Sequence, residues 1–188
     1  MQVFYSKATE LTNSETLALY AYRYSVFVER LGWELPGAND GIEIDQFDRP
    51  DTIHVIARDE AGVVCGCARL LPTVRPYLLS DVFPELMCDE PLPQSGDVWE
   101  LSRFASNDLK VLMATTIKCA TELGAKRLIA VTSKGVERIL RRLGINWYPI
   151  GPAVDVGGSF IFAFFIIIDE KTLDALNISR HETSGMLA

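Results

Sequence analysis

The sequence contains only two histidines, His54 and His181, among its 188 residues. Ser-His-Asp and Cys-His hydrolases need a histidine beside the nucleophile. His54 lies inside a segment that predicts a strand, and His181 lies in the C-terminal tail. A glycine-rich dinucleotide fingerprint and a P-loop are also absent. Hydrolase, dehydrogenase and NTPase functions are therefore disfavoured.

Long apolar runs and metal-binding cysteine patterns are missing as well. The longest apolar run, FIFAFFIII at 160–168, is too short for a membrane helix, which needs about 20 residues, and it predicts a buried strand. The four cysteines have no partners at metal-ligand spacing, so we expect reduced thiols and no metal site. Without a signal-peptide pattern near the N-terminus, we expect a cytoplasmic protein.

An excess of positive charge is also lacking. The chain has 18 lysines and arginines against 25 acidic residues, a net charge of −7. General nucleic-acid binders are normally basic, so we expect no nucleic-acid partner. The composition, with 48% hydrophobic and 23% charged residues, is that of an ordinary globular protein.

Periodicity predicts one domain, spanning 1–188, in which strands alternate with helices. Leu17, Tyr20, Tyr24, Phe27 and Leu31 recur every three or four positions and predict a helix over 14–31, capped by Asn13 or Ser14. A loop over 33–51 follows. The remaining pattern predicts a hairpin over 52–72, strands over 97–105, 125–132 and 159–169, and helices over 109–124, 133–144 and 170–176.

Polar residues interrupt the apolar segment DVWELSRFAS at 97–106, which contains Glu100 and Arg103. Charged side chains are seldom buried unless they are paired. Strand alternation also places Arg69 on an apolar face. The first helix and the loop supply further candidates. One explanation is a structural ion-pair network; the other is a site for a zwitterionic or cationic small ligand, formed by Arg23, Asp45, Asp48, Arg69, Glu100 and Arg103 with Phe27 and Trp33 beside them.

These residues stand in segments that resemble the LuxI-type acyl-homoserine lactone synthases of bacterial quorum sensing. The similar segments are RYSVFVERLGWELP, EIDQFDRPDTIHVIAR, CGCARLLPT, YLLSDVFPEL and VWELSRFA, and they span most of the first 105 residues. The residues typical of the family are present at nine positions in order, namely Arg23, Phe27, Trp33, Asp45, Asp48, Arg69, Phe83, Glu100 and Arg103.

The resemblance implies an α/β (α+β) fold, a three-layer αβα sandwich like that of the N-acetyltransferases, with a mixed, mostly antiparallel twisted sheet. It also implies the reaction: the amine of S-adenosylmethionine takes an acyl group from acyl carrier protein, and lactonisation then releases methylthioadenosine. The S-adenosylmethionine is a substrate, so no cofactor is expected. An alternative is an acyl-CoA-dependent N-acyltransferase of the same fold, although SNDLKVLMA lacks the glycines of its pyrophosphate loop. A catalytically inactive sensor of S-adenosylmethionine is a third possibility.

Roles follow from the resemblance. Glu100 is expected to be the general base, while Arg103, Arg23 and Arg69 order the site by binding the methionine carboxylate or by pairing with Asp45 and Asp48. Contacts to S-adenosylmethionine are expected from Phe27, Trp33, Ser102 and Phe104. The acyl pocket is expected to involve Leu101, Leu112, Met113, Thr116 and Thr132.

Two further expectations concern the carrier protein and the strand that contains Glu100. Carrier proteins are acidic, and the exposed basic side chains expected to dock one are Lys134, Arg138, Arg141 and Arg142. In a regular strand Glu100 and Arg103 point to opposite faces, so a shared site predicts a bulge or splay within 100–104. The connection after Asn107 is shorter than the family resemblance implies, which indicates either a lost loop or an omitted segment.

Overall fold

A computed structural model describes residues 1–179 of the chain. Its strands are β1 (Gln2–Lys7), β2 (Ala38–Asn39), β3 (Ile42–Glu43), β4 (Ile53–Arg58), β5 (Val64–Pro72), β6 (Val98–Ser106), β7 (Arg127–Ser133), β8 (Trp147–Pro149), β9 (Val154–Val156) and β10 (Ser159–Ile167). Its α-helices are α1 (Asn13–Arg23), α2 (Leu78–Val82), α3 (Leu109–Glu122), α4 (Glu137–Leu143) and α5 (Glu170–Ala175). His181 lies outside the described residues.

The main sheet is mixed and mostly antiparallel. Its strands follow the order β1-β4-β5-β6-β7-β10-β8, with β9 also paired to β10. Only the central pair β6–β7 is parallel among the pairings of the described residues. Strands β2 and β3 form a separate small ribbon.

Helices cover both faces of the sheet and give three layers. On one face, Leu19 of α1 and Leu79 of α2 pack into two apolar clusters with side chains of β4, β5 and β6. On the other face, Leu112 of α3, Leu140 of α4 and Leu176 just after α5 belong to one continuous core. Within residues 1–179, no helix is long and apolar enough to cross a membrane.

The first helix differs from its prediction in two respects. Its N-cap is Thr12, whose hydroxyl accepts a hydrogen bond from the backbone N–H of Glu15, so the expected cap at Asn13 or Ser14 was wrong. Leu17 and Leu31 were expected to be buried, yet they are 57% and 51% exposed. Leu31 is exposed because the helical period changes where α1 continues as a π-helix over Tyr24–Arg30. Leu17 precedes the π-helix and lies off the buried face of Leu19, Tyr20 and Arg23.

Several strands, among them β1, β2 and β3, were not predicted. Strand β1 pairs antiparallel with β4 along its whole length, and β2 and β3 lie within the segment expected to be a loop. Strands β2 and β3 have two residues each, too few for an alternating pattern to identify them. The hairpin of β4 and β5, the helix α3 and the long strand β10 lie where they were predicted, within a few residues.

Strand β6 contains the predicted irregularity. Arg69 of β5 is paired with Ser102, and Cys67, two residues earlier, is paired with Ala105, so β6 has one extra residue in this interval. The extra residue is a β-bulge at Arg103, whose φ of 51° is in the left-handed region. The bulge therefore breaks the alternation of side chains between Ser102 and Ala105.

A splay opens on the other side of the same strand. Strand β6 is paired with β7 only over Val98–Leu101, and residues 102–106 have no partners in β7. The sheet therefore divides at its centre, immediately beyond Leu101, the residue after Glu100. Strand β6 then reaches α3 through Asn107 and Asp108 alone, and the Asp108 carboxylate caps α3 by accepting from the N–H of Val111.

Candidate active site

Six charged side chains form one buried network between the sheet and α1. Three arginines bind three carboxylates, so the formal charges within the network cancel. Every member has a side chain at most 13% exposed, and four of them are at most 1% exposed. The members are Arg23, Arg69, Arg103, Glu43, Asp45 and Asp48.

Arg23 is the link between α1 and the loop that precedes β4. Its Nε lies 2.6 Å from Glu43, and its Nη1 and Nη2 donate to both carboxylate oxygens of Asp48 at 2.7 and 2.9 Å. Arg23 ends α1 at the point where the π-helix begins. The side chain of Arg23 therefore turns inward, toward the carboxylates of that loop.

Arg69 and Arg103 bind the same loop from the sheet. Arg69 donates to both oxygens of Asp45 at 2.6 and 3.0 Å, and its Nε donates to the hydroxyl of Ser102 at 3.0 Å. Arg103 binds Glu43 through Nε and Nη2, and its Nη2 also lies 2.9 Å from Asp45. The arginines thus pair with acids of the protein, one of the two alternatives left open by the sequence.

Burial and ion pairing shift the pKa values of Arg23, Glu43 and Asp48 away from their ordinary values. Burial opposes ionisation of Asp48 and Glu43, but hydrogen bonds from Arg23 to Asp48 and from Arg103 and Arg23 to Glu43 hold the pKa of each carboxyl below its ordinary value. Burial also opposes the charge on Arg23, and Asp48 and Glu43 more than compensate, so the Arg23 pKa is raised. All three groups are ionised at neutral pH.

Glu100 lies outside the network and is held differently. Its carboxylate accepts the backbone N–H groups of Leu78 and Leu79 at 2.8 and 2.7 Å, at the start of α2. The residue is 1% exposed. Burial raises its pKa to about 7 even though the two N–H donors lower it. A carboxyl with this pKa exchanges protons near neutral pH, as a general base must.

Phe27 and Trp33 stack beside the network with ring centroids 5.0 Å apart. The guanidinium of Arg103 lies 5.6 Å from the Phe27 ring centroid, within cation–π range. Phe27 is 2% exposed, whereas Trp33 is 45% exposed. Trp33 therefore presents the accessible aromatic surface of this pair.

The bulge separates two residues that were expected to bind the same ligand. Ser102 contacts Arg69 on the α1 side of the sheet. Phe104 instead packs against the core on the α3 side. Without an extra residue in the strand, Glu100, Ser102 and Phe104 would share a face. The bulge at Arg103 turns the side chain of Phe104 to the opposite face from Ser102, and the contact of Phe104 with S-adenosylmethionine stays a prediction.

The candidate acyl-pocket residues do lie together. Leu101, Leu112 and Met113 belong to the core on the α3 side, and Thr116 is fully buried in the same helix, with its hydroxyl bonded to the carbonyl of Leu112. Thr132 is paired across the sheet with Phe162, another member of that core. The sheet lies between this apolar region and Glu100 on the other face, and the splay between β6 and β7 interrupts the sheet beside both.

The four candidate docking residues surround helix α4 and are all exposed. Lys134 lies in the 3₁₀ turn before α4, and Arg138, Arg141 and Arg142 lie on the helix itself. Arg141 pairs with Glu137 at 2.6 Å and also lies over the ring of Trp147. Residues 122–142 contain six basic side chains and two acidic ones, so this surface is positive on an acidic protein.

Two charged residues of the site were absent from the predicted set. Glu43 binds both Arg23 and Arg103 and is fully buried. Arg49 links the segment 33–51, here called the acidic loop, to the segment before α2 through the carbonyl of Pro76. Glu43 lies in the acidic loop together with Asp45 and Asp48. Its charge next to these two candidates could have identified it. Nothing in the sequence distinguished Arg49 from a solvated arginine.

Residues 7–176 match the sequence profile of a family described as autoinducer synthase. The chain belongs to the autoinducer synthase family. The acyl-homoserine-lactone synthase of Ralstonia solanacearum is 44% identical to it over 192 aligned residues, covering 95% of this chain and 94% of that one. The family and the enzyme class, an acyltransferase that makes acyl-homoserine lactone, are therefore as predicted.

Solved structures agree with this assignment. TofI, in a ternary complex with an inhibitor and MTA, is 46% identical with a TM-score of 0.90, covering 97% of this chain and all of that one. BjaI, a CoA-dependent acyl-homoserine lactone synthase solved with SAM and isopentyl-CoA, is 26% identical with a TM-score of 0.86, covering 93% of this chain and 87% of that one.

A more distant similarity concerns the fold alone. A Lactobacillus plantarum protein assigned as an N-acetyltransferase superposes with a TM-score of 0.64 at 16% identity, covering 89% of this chain and 98% of that one. The predicted fold class, a mixed sheet between helices like that of the N-acetyltransferases, is confirmed.

Proposed function

We propose that this synthase transfers an acyl group from acyl carrier protein to the α-amine of S-adenosylmethionine and then closes the lactone. The observation that carries the proposal is the position of Glu100, a buried carboxylate with a pKa near 7 beside the opening between β6 and β7. The opening joins the apolar region under α3 to the charged network, so a thioester held on one face can meet an amine on the other.

The first step forms the amide. The amine nitrogen attacks the thioester carbonyl, its proton passes to Glu100, and the carrier thiolate leaves. In the second step a carboxylate oxygen of the methionine moiety attacks its own γ-carbon, and the sulfide of methylthioadenosine departs with the electron pair of the broken bond. The sulfonium is its own leaving group, so the reaction as proposed uses no metal or organic cofactor.

Within this scheme the network positions the substrate. Trp33 offers an exposed ring to the adenosine and sulfonium end, since aromatic faces attract cations. Arg103, the most exposed of the three arginines at 7%, is the one placed to orient the methionine carboxylate. Arg23 and Arg69 are fully paired with acids and fix the loop that carries Asp45 and Asp48.

The second part of the proposal is the identity of the acyl donor. An acidic carrier protein fits the positive surface around α4, although the phosphates of acyl-CoA can also pair with arginine side chains. BjaI uses a CoA thioester, so CoA is the alternative donor within the family. We also propose a cytoplasmic location without nucleic-acid partners, which agrees with four free cysteines and the net charge of −7.

Mass spectrometry of the reaction tests the proposal. The protein is incubated with S-adenosylmethionine and matched panels of acyl-carrier and acyl-CoA thioesters of different chain lengths. We expect acyl-homoserine lactone and methylthioadenosine in equal amounts, with carrier thioesters preferred. Preference for CoA thioesters would overturn the donor assignment. Failure of every donor, with S-adenosylmethionine bound, would instead favour a sensor.

Charge reversal on α4 is expected to weaken donor binding selectively. The double variant Arg138→Glu and Arg142→Glu should raise KM for acyl-carrier protein by about tenfold or more at low salt, because rim charges steer association. KM for S-adenosylmethionine should stay unchanged. Steady-state kinetics at two salt concentrations measure both KM values. The matched control is the double variant Lys7→Glu and Lys110→Glu, which makes the same change in charge away from α4. Equal effects in the two double variants would contradict docking at α4.

The pH dependence of turnover is expected to have an acid limb governed by Glu100. Below pH 7 the carboxyl becomes protonated and cannot accept the proton of the amine, so kcat should fall toward tenfold per pH unit as the pH decreases. Rates at saturating substrates between pH 5.5 and 8.5 measure the limb. A rate that stays constant down to pH 5.5 would show that the attack does not depend on this carboxyl.

A further inference from the structure

Arg49 connects the two halves of the site that the reaction must align. It follows Asp48 directly and lies in a tight turn: its own N–H donates to the hydroxyl of Thr52, and its carbonyl accepts from the Thr52 N–H. Its backbone is therefore fixed to the loop that carries the carboxylates of the network. Its side chain extends from this loop to the segment before α2, where Nη1 donates to the carbonyl of Pro76 at 2.5 Å.

Arg49 binds the peptide unit between Pro76 and Tyr77, which directly precedes the two N–H groups that donate to Glu100. Its carbonyl is that of Pro76, and its N–H, on Tyr77, donates to the hydroxyl of Ser80 at 3.0 Å. The next two N–H groups along the chain, on Leu78 and Leu79, donate to the Glu100 carboxylate. Because this peptide plane is held at both ends, only the backbone dihedrals of Tyr77 and Leu78 separate it from the N–H groups on Glu100, so its position constrains their direction.

We propose that Arg49 is a positioning residue for the reaction: by holding the Pro76 carbonyl it keeps the N–H groups of Leu78 and Leu79 on Glu100 and so sets the proton affinity of the base. The inference rests on the proposed role of Glu100. Arg49 itself touches neither Glu100 nor the network carboxylates in the structure, so its effect reaches the base only through the backbone.

The same contacts indicate that the fold depends little on this side chain. Arg49 is 22% exposed, its partner Asp51 is 32% exposed, and their contact is 3.2 Å long. Its Nη2 is buried without a hydrogen-bond partner among residues 1–179. Partly exposed ion pairs contribute little to stability, so variants of Arg49 should fold and can be compared with the wild type.

Removing the contact should raise the pKa of Glu100, so that the base is protonated at a higher pH. The two N–H donors favour the charged form of Glu100, so their loss raises its proton affinity. Other groups facing Glu100 are Arg69 on β5, Asp45 on the acidic loop and the Tyr77 hydroxyl. None of them is bonded to Arg49, so their contribution should remain when Arg49 is replaced.

The test compares pH profiles of kcat for the full-length protein and two variants. Arg49→Lys keeps the charge but loses the fixed reach of the guanidinium to the Pro76 carbonyl. We expect its acid limb to move to higher pH by about 0.5 to 1 unit, with KM for S-adenosylmethionine within about twofold of wild type. Arg75→Ala is the control, because Arg75 also contacts Asp51, at 3.4 Å, but its 66% exposed side chain does not bind Pro76.

The outcomes separate this inference from the proposed function. A shifted limb in Arg49→Lys and an unshifted limb in Arg75→Ala support it. An unshifted limb in Arg49→Lys, or equal shifts in both variants, overturns it. If Glu100→Gln retains activity, the role of Glu100 itself falls. If Glu100→Gln is inactive and Arg49→Lys titrates like wild type, the base stands and Arg49 has no part in positioning it.

Discussion

Replacing Glu100 by glutamine is expected to lower kcat for lactone formation by about 10² to 10⁴-fold, the usual range for losing a positioned general base. Glutamine matches the shape of the carboxylate but cannot accept the proton of the attacking amine. It also turns an NH₂ group toward one of the two N–H donors on Leu78 and Leu79, so one of the bonds to α2 is lost.

The measurement is single-turnover mass spectrometry of acyl-homoserine lactone, with calorimetric binding of S-adenosylmethionine to the same samples. Binding within about threefold of wild type would show that the site is intact. The control is Glu85→Gln, which removes an exposed carboxylate from the 3₁₀ turn after α2 at the same cost in charge. A Glu100→Gln variant with more than a tenth of wild-type kcat would rule out the base.

Sequence reasoning predicted the irregularity in β6 from a chemical requirement rather than from a pattern. Glu100 and Arg103 had to serve one site, and the period of two forbids that in a regular strand. The structure places a bulge at Arg103 and a splay after Leu101. The same bulge explains why Phe104 lies on the face opposite Ser102, since an inserted residue reverses the alternation of the side chains that follow it.

The location of the bulge could not be read from the sequence. Arg103 occupies left-handed backbone without the glycine that usually signals it. Its guanidinium is held by Glu43 and Asp45, so long-range contacts stabilise a local conformation that the residue itself disfavours. Local sequence therefore carried no signal at the residue where the strand breaks.

The π-helix explains the second kind of error. The spacing of three and four residues from Leu17 to Leu31 predicted one amphipathic helix, which assumes a constant period. Wider hydrogen bonding over Tyr24–Arg30 changes the angle between successive side chains, so Val26 is buried and Leu31 is not. The π-helix begins immediately after Arg23, which brings Arg23 and Phe27 to the site together.

The sequence predicted that arginines and acids would meet at one site. It did not predict which acid of the network pairs with which arginine. The predicted set had three arginines and three acids, but its third acid was Glu100, whereas in the structure Glu43 takes that place. The choice of partners depends on loop geometry that periodicity does not describe. Buried charges must be paired, so the sequence required an acid for each arginine. The sequence did not identify which acid binds which arginine.

Replacing Arg23 by methionine is expected to lower the free energy of unfolding by about 3–5 kcal/mol at pH 7, because it leaves the buried carboxylates of Glu43 and Asp48 without their shared cation. Methionine fills similar space but offers no donor. Arg58→Met is the control: its pair with Glu15 lies at the surface, with both side chains 28% exposed, and should contribute less than about 1 kcal/mol.

The pH dependence of this difference provides a further check. The pKa values of Glu43 and Asp48 are lowered in the folded protein, so their pairing stabilises it fully above the ordinary carboxyl pKa of about 4 and progressively less as the pH falls below it. Urea unfolding of wild type and Arg23→Met should therefore differ most at neutral pH and converge in acid. A difference independent of pH would assign the loss to packing of the arginine stem rather than to its charge.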